Sequence, residues 1–186
     1  MSRKFLTVAM ATALVAGSFT PAVAHAFSSG SSASSAIMED PNAPGTRNNP
    51  HTLGTTVRDG GWEVTINEVD LSADHRVLEA NMFNSPAPEG HVYVLVNATL
   101  KYVGKSSEGD STFWSTINFV THDGVTVTES DHHAVAPDAL NSLTTLYTGG
   151  KVTGNVVFAV PKENLTQGTI VVQPDLWSKK FFYKVS

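Results

Sequence analysis

Apolar and polar residues alternate in short runs along most of this chain, and the runs are separated by clusters of glycine, proline, asparagine and aspartate. A period of two marks strands whose faces meet different surroundings. Trp62-Glu63-Val64-Thr65-Ile66-Asn67 is one such run, and the pair Gly60-Gly61 before it is a turn signal. The longest strand covers His91 to Val103, with Val92, Val94, Val96, Ala98, Leu100 and Tyr102 on one face. Its first half is apolar on both faces, which predicts a central position in a sheet. Phe113 to Thr121 follows, with Ile117 and Phe119 on one face. His122-Asp123-Gly124 then leads into Val125-Thr126-Val127-Thr128. The Asp-Gly pair predicts a hairpin closed by a two-residue type I′ turn, which needs positive φ angles.

Leu143 to Tyr147 is a short strand, and Gly149-Gly150 turns the chain into Lys151 to Val160. Val152, Gly154, Val156, Phe158 and Val160 share a face there, and Pro161 closes the strand because it has no N–H to donate. Thr169 to Val172 and Phe181 to Val185 supply the last two strands. Residues 72 to 90 read as a long connection with one helical turn around Arg76 to Ala80. Residues 129 to 142 are irregular. This spacing predicts an all-β chain, an antiparallel β-sandwich of about seven to eight strands.

The amino terminus has a different pattern. Arg3-Lys4 precedes an apolar run from Phe5 to Ala16, and Ala24-His25-Ala26 offers the small-x-small site that signal peptidase cuts. Ala22-Val23-Ala24 is a second site two residues earlier. The run is shorter than the about 20 residues that span a bilayer. Residues 1–26 are therefore expected to be a signal peptide for the general secretory route, since Arg3-Lys4 is not a twin-arginine pair. Residues 27–49, with the run Ser28-Ser29-Gly30-Ser31-Ser32, read as a flexible leader. The folded domain is expected over residues 50–186.

Composition narrows the functional classes. Removing Arg3 and Lys4 from 12 Lys and Arg leaves 10 against 17 Asp and Glu, a formal charge of −7. Such a surface repels phosphate, so nucleic acid and anionic membranes are excluded as partners. There is no cysteine. That removes disulfides, thiolate metal sites, Cys nucleophiles and the lipid-bearing residue of a bacterial lipoprotein. The expectation is a released, extracellular product without stable membrane association.

Three stretches together resemble a known family. They are Gly90 to Leu100 (Gly-His-Val-Tyr-Val-Leu-Val-Asn-Ala-Thr-Leu), Ile117 to Gly124 (Ile-Asn-Phe-Val-Thr-His-Asp-Gly) and Gly150 to Pro161 (Gly-Lys-Val-Thr-Gly-Asn-Val-Val-Phe-Ala-Val-Pro). In this order they resemble the DUF4352 domain of secreted Gram-positive proteins, and Asn49 to Thr55 looks like an actinobacterial version. The resemblance implies a telokin-like, immunoglobulin-like sandwich, in a grouping that includes a mycobacterial secreted antigen, and an envelope or extracellular setting. The family has no defined function, so it transfers no site residues.

The residues themselves assign no catalytic, cofactor or metal position. Asp131-His132-His133 is the most suggestive run, with His122 or His91 as the further ligand that Zn²⁺ or Cu²⁺ would need. Adjacent side chains on extended backbone point to opposite faces, so His132 and His133 meet one ion only across a bend. A hydrolase is the enzymatic alternative, but no Gly-x-Ser-x-Gly elbow occurs. Asp138 and Asp175 fall in turns, where carboxylates cap backbone N–H groups. Trp62, Trp114, Trp177, Phe113, Phe181, Phe182 and Tyr183 are expected mostly in the core. Phe181 and Phe182 must nonetheless point to opposite sides of their strand. The reading is a non-enzymatic domain that binds an extracellular protein or glycan. Its working surface is expected at the Asp131 to Asp138 loop and the residues 72–90 connection.

Overall fold

The computed structural model describes residues 40–186; the expected signal peptide and residues 27–39 of the leader lie outside the described residues. Chain order is β1 (Thr56–Asp59), β2 (Trp62–Asp70), α1 (Asp74–Ala80), β3 (His91–Tyr102), β4 (Asp110–Ser111), β5 (Thr116–Val120) and β6 (Thr126–Val127). It continues with β7 (Thr145–Leu146), β8 (Lys151–Pro161), β9 (Thr169–Gln173) and β10 (Phe181–Lys184). One sheet runs β1-β2-β3-β8 and the other β10-β9-β5-β6, while β4 and β7 pair separately. All these pairings are antiparallel. The eight strands of the two sheets form the immunoglobulin-like β-sandwich.

Strand β3 holds the centre of its sheet because both of its faces find cover. Val92, Val94, Val96, Ala98, Leu100 and Tyr102 enter the core between the sheets with Val156, Phe158 and Val160 of β8. Phe119, Ile170, Val172, Phe181 and Tyr183 fill that core from the opposite sheet. On the outer face Tyr93, Leu95, Val157 and Ala159 form a second cluster beneath Ala73 and Val77. Ala73 immediately precedes α1 and accepts the Val77 N–H at 2.9 Å, so the two lie one turn apart on the side that meets the sheet.

Three local readings change. Phe113 is in a 3₁₀ turn, Thr112–Trp114, where the Ser111 hydroxyl accepts the Phe113 N–H at 3.2 Å. The Thr112 hydroxyl is buried and donates to the Asn141 and Thr144 carbonyls, which bends the chain before β5 begins. The β5–β6 turn is bonded from Gly124 N–H to Thr121 O at 2.9 Å. Within that turn only Gly124 has positive φ. This is a type I turn closed by a glycine bulge rather than a type I′ turn, because Asp123 keeps ordinary backbone geometry.

The third change concerns the leader. Composition predicts a flexible segment through residue 49, yet residues 40–49 are built onto the domain. The Phe182 N–H donates to Gly45 O, the His51 N–H to Phe182 O and the Lys184 N–H to His51 O, each at 2.8 Å. Arg47 reaches across to the His122 carbonyl at 2.9 Å. An edge strand carries unpaired backbone groups, and β10 recruits this segment to pair them. Phe182 thereby lies under a loop, outside the sandwich core.

Candidate functional site

The two segments expected to carry function meet on the outer face of the β1-β2-β3-β8 sheet. Asn84 joins them: its amide donates to Val77 O at 2.7 Å and Val135 O at 2.8 Å, and it accepts the Val135 N–H at 2.8 Å. Tyr93 holds the connection from below, donating its hydroxyl to Ser85 O at 2.8 Å. Burial pushes the Tyr93 phenol above its ordinary pKa, with Asp74 adding to the effect. Ala136 packs in the same cluster. Much of the loop and the connection therefore serves as a lid on the sheet.

The histidines are dispersed within this frame. The His132 ring lies 5.8 Å from Tyr93, and its Nε2 is buried without a partner. His133 is exposed. Asp131 accepts the Thr128 N–H at 2.6 Å, closing a capping box around residues 129–131. The Nδ1 of His91 is 2.9 Å from Glu89 O. His91 and Asp131 line one cleft beside the β5–β6 turn, which His122 does not line. Among the described residues no three His, Cys, Asp or Glu side chains are placed to hold a metal ion. Asp131 is taken by its own turn, and the strand alternation sends His132 inward and His133 outward.

A small cleft between the sheets brings Glu129 to Thr112, Ser115 and Ser142, beside Leu100, Ile117, Leu140 and Val156. Partial burial raises the Glu129 carboxyl above the usual range. Ser115 donates to Pro174 O and Thr112 to two carbonyls, so both hydroxyls are committed to backbone. No histidine lines this cleft.

Leu78, Met82, Phe83 and Val135 are exposed on the two expected segments, and a larger apolar group lies at the opposite end. Phe113, Trp114, Leu143, Tyr147, Leu176 and Trp177 are all exposed, Trp177 at 91% and Leu143 at 76%. They lie on three segments tied side by side. Ser111 pairs with Thr145, Thr112 N–H donates to Thr144 O, and Ser115 donates to Pro174 O. The Phe113 and Trp114 rings meet edge-to-face at 4.9 Å. Trp177 stands on an Asp175 turn whose carboxylate accepts the Trp177 and Ser178 N–H groups at 2.7 Å. The expectation that most of these aromatics fill the core is overturned: Trp62, Phe181 and Tyr183 do, Phe182 lies outside it, and Phe113, Trp114 and Trp177 are exposed. Turn residues flank each of them, and turns are carried at the surface. The sequence reading missed Leu143, Tyr147 and Leu176 in this cluster. The one available signal was a large apolar residue inside each turn-rich segment.

A family model described as a domain of unknown function, DUF4352, matches residues 51–184. No curated protein matches. Among solved structures the chain is similar to the yjhA protein of Bacillus subtilis, at 17% identity and TM-score 0.48, covering 73% of this chain and 99% of that one. It is similar to an uncharacterised β-sandwich protein of Clostridium difficile, at 16% identity and TM-score 0.45, covering 74% and 95%. It is also similar to the secreted protein MPT63 of Mycobacterium tuberculosis, at 18% identity and TM-score 0.46, covering 73% and 97%.

Proposed function

The chain belongs to the DUF4352 family, a group without an assigned activity, and we propose that it acts outside the cell as a non-enzymatic binding domain. Its working surface is the end that carries Phe113, Trp114, Leu143, Tyr147, Leu176 and Trp177. The observation that carries this reading is the exposure of six large apolar side chains on three adjoining segments. Isolated exposed apolar residues are ordinary, but a group on one end of a domain marks an interaction surface. Aromatic anchors favour polypeptide partners, and the aliphatic Leu143 and Leu176 favour a protein over a sugar, which stacks on flat rings. Export rests on the Arg3-Lys4 start, the apolar run and the Ala24-His25-Ala26 site. No helix among the described residues is long and apolar enough to cross a membrane.

A photo-cross-linking residue at position 147, with another at position 79 on α1 as the control, tests the surface in live cells. A defined polypeptide adduct from position 147 alone supports the reading. Adducts from position 79 alone, or from neither, overturn it. A glycan adduct at position 147 would keep the surface and change the partner.

A further inference from the structure

We propose that a second site, on the outer face of the β1-β2-β3-β8 sheet, binds a single amino sugar: a hydroxylated ring carrying a protonated amine. The site is a cavity of about 240 Å³ whose polar wall is Glu68, Asp70, Arg76, Asn97, Asp138 and Asn155. It is smaller than the roughly 300–1,000 Å³ that hold drug-sized ligands, which points to one small ring rather than a chain. It receives Arg76 from α1 and Asp138 from the loop after residue 131, so the two lid segments converge here.

The floor is built before any ligand arrives. A bulge between Ile66 and Glu68 breaks the β2–β3 register. Asn67, at the bulge, donates to Asn97 Oδ1 at 2.8 Å, Asn97 donates to Asn155 Oδ1 at 2.8 Å, and Asn155 donates to Pro137 O at 2.7 Å. This relay fixes the two amides of the floor, and Asn155 is 6% exposed. Residues 138–140 run along the free edge of β8, the Asn155 N–H donating to Asp138 O and the Leu140 N–H to Asn155 O, each at 2.9 Å, and Gly154 leaves room for that approach. A Cβ there would meet Leu140 Cα at 2.5 Å and Asp138 O at 2.8 Å.

The chemistry of the walls selects the ligand. Arg76 pairs with Asp70 at 3.0 Å. Burial works against the Asp70 charge, but the Ser72 N–H and the Arg76 guanidinium hold the carboxyl below its usual range. Glu68 and Asp138 are exposed, and among the described residues their carboxylates make no hydrogen bond or ion pair. Three carboxylates against one guanidinium exclude an anion and favour a cation. Asn97 and Asn155 each keep one amide N–H beyond the relay, and Arg76 keeps N–H groups beyond Asp70, so they suit hydroxyl acceptors, which a bare metal ion or a simple alkylamine does not offer. Hydroxyls donate and accept, so a ring carrying several of them satisfies both kinds of group. Leu95 supplies an apolar contact for its C–H face.

The test titrates the whole mature chain with glucosamine, N-acetylglucosamine, glucose and methylammonium, reading the Asn97 and Asn155 side-chain amide resonances. Glucosamine is expected to bind at least about ten-fold tighter than the other three, as loss of one charged hydrogen bond implies. Glu68→Gln and Asp138→Asn should each weaken it about ten-fold at an unchanged unfolding midpoint, since Asn tolerates the left-handed backbone of position 138 (φ 46°). The proposal is overturned if glucosamine leaves these resonances unmoved, or if glucose or methylammonium binds equally well. It also fails if both folded variants bind glucosamine as the parent does.

Discussion

The indole Nε1 of Trp62 donates a hydrogen bond to Asp110 Oδ2 at 3.1 Å. Trp62 is fully buried, so the largest core side chain holds the base of the loop that presents Phe113 and Trp114. Asp110→Ala leaves a buried N–H without a partner, which costs about 1–3 kcal/mol. Asp110→Asn keeps an acceptor oxygen and should cost less. Urea unfolding with tryptophan fluorescence measures both, and equal costs would contradict this role for the carboxylate.

Gly154→Ala is expected to destabilise the domain by roughly 1–3 kcal/mol, the usual cost of overpacking. The obstructing atoms, Leu140 Cα and Asp138 O, are both backbone and cannot rotate away. Amide exchange should locate the disturbance in residues 137–140. Exchange that speeds only in the core would argue against this cause.

Stability should fall at high pH through Tyr183. Its phenol is buried, which pushes its pKa upward, and its hydroxyl donates to Thr55 O at 3.0 Å. A folded pKa raised above the unfolded value of about 10 gives stability that is complete below about pH 10 and declines as pH rises past it. The urea midpoint of the parent is expected to drop above about pH 10, and that of Tyr183→Phe to drop less. Parallel profiles would refute the assignment.

A chain beginning at His51 should melt roughly 2–8 °C below one beginning at Asp40, because net hydrogen bonds of about 1 kcal/mol are lost at the β10 edge. The groups concerned are Gly45 O, which accepts the Phe182 N–H, and Arg47, which clasps the Thr121 and His122 carbonyls. Identical melting curves would mean that these contacts contribute nothing.

Where backbone periodicity decided the structure, the sequence was a sound guide. The two apolar faces of His91 to Leu95 put β3 inside its sheet, and the even-numbered residues from Val92 to Tyr102 did enter the core. Composition misled at residues 40–49, because an exposed sheet edge can pair with backbone of any side-chain type. The Asp123-Gly124 pair marked the hairpin, but two turn types accept it. The aromatic end was hidden because positions 113–114, 143–147 and 176–177 are distant in the chain and are brought together by β4–β7 pairing and the Ser115–Pro174 contact. The cavity below Asp138 depends on a β-bulge and a close approach at Gly154, neither of which has a pattern of its own in one sequence.

The central claim is that the aromatic end binds a polypeptide. The most direct measurement compares capture from envelope and culture-fluid extracts by the mature chain and by Trp114→Ala/Trp177→Ala. Both side chains are exposed, so the double variant should fold with an unchanged unfolding midpoint. The account expects a defined polypeptide retained by the parent and reduced at least about ten-fold by the variant, as loss of two aromatic anchors implies. Equal retention by both chains would contradict it.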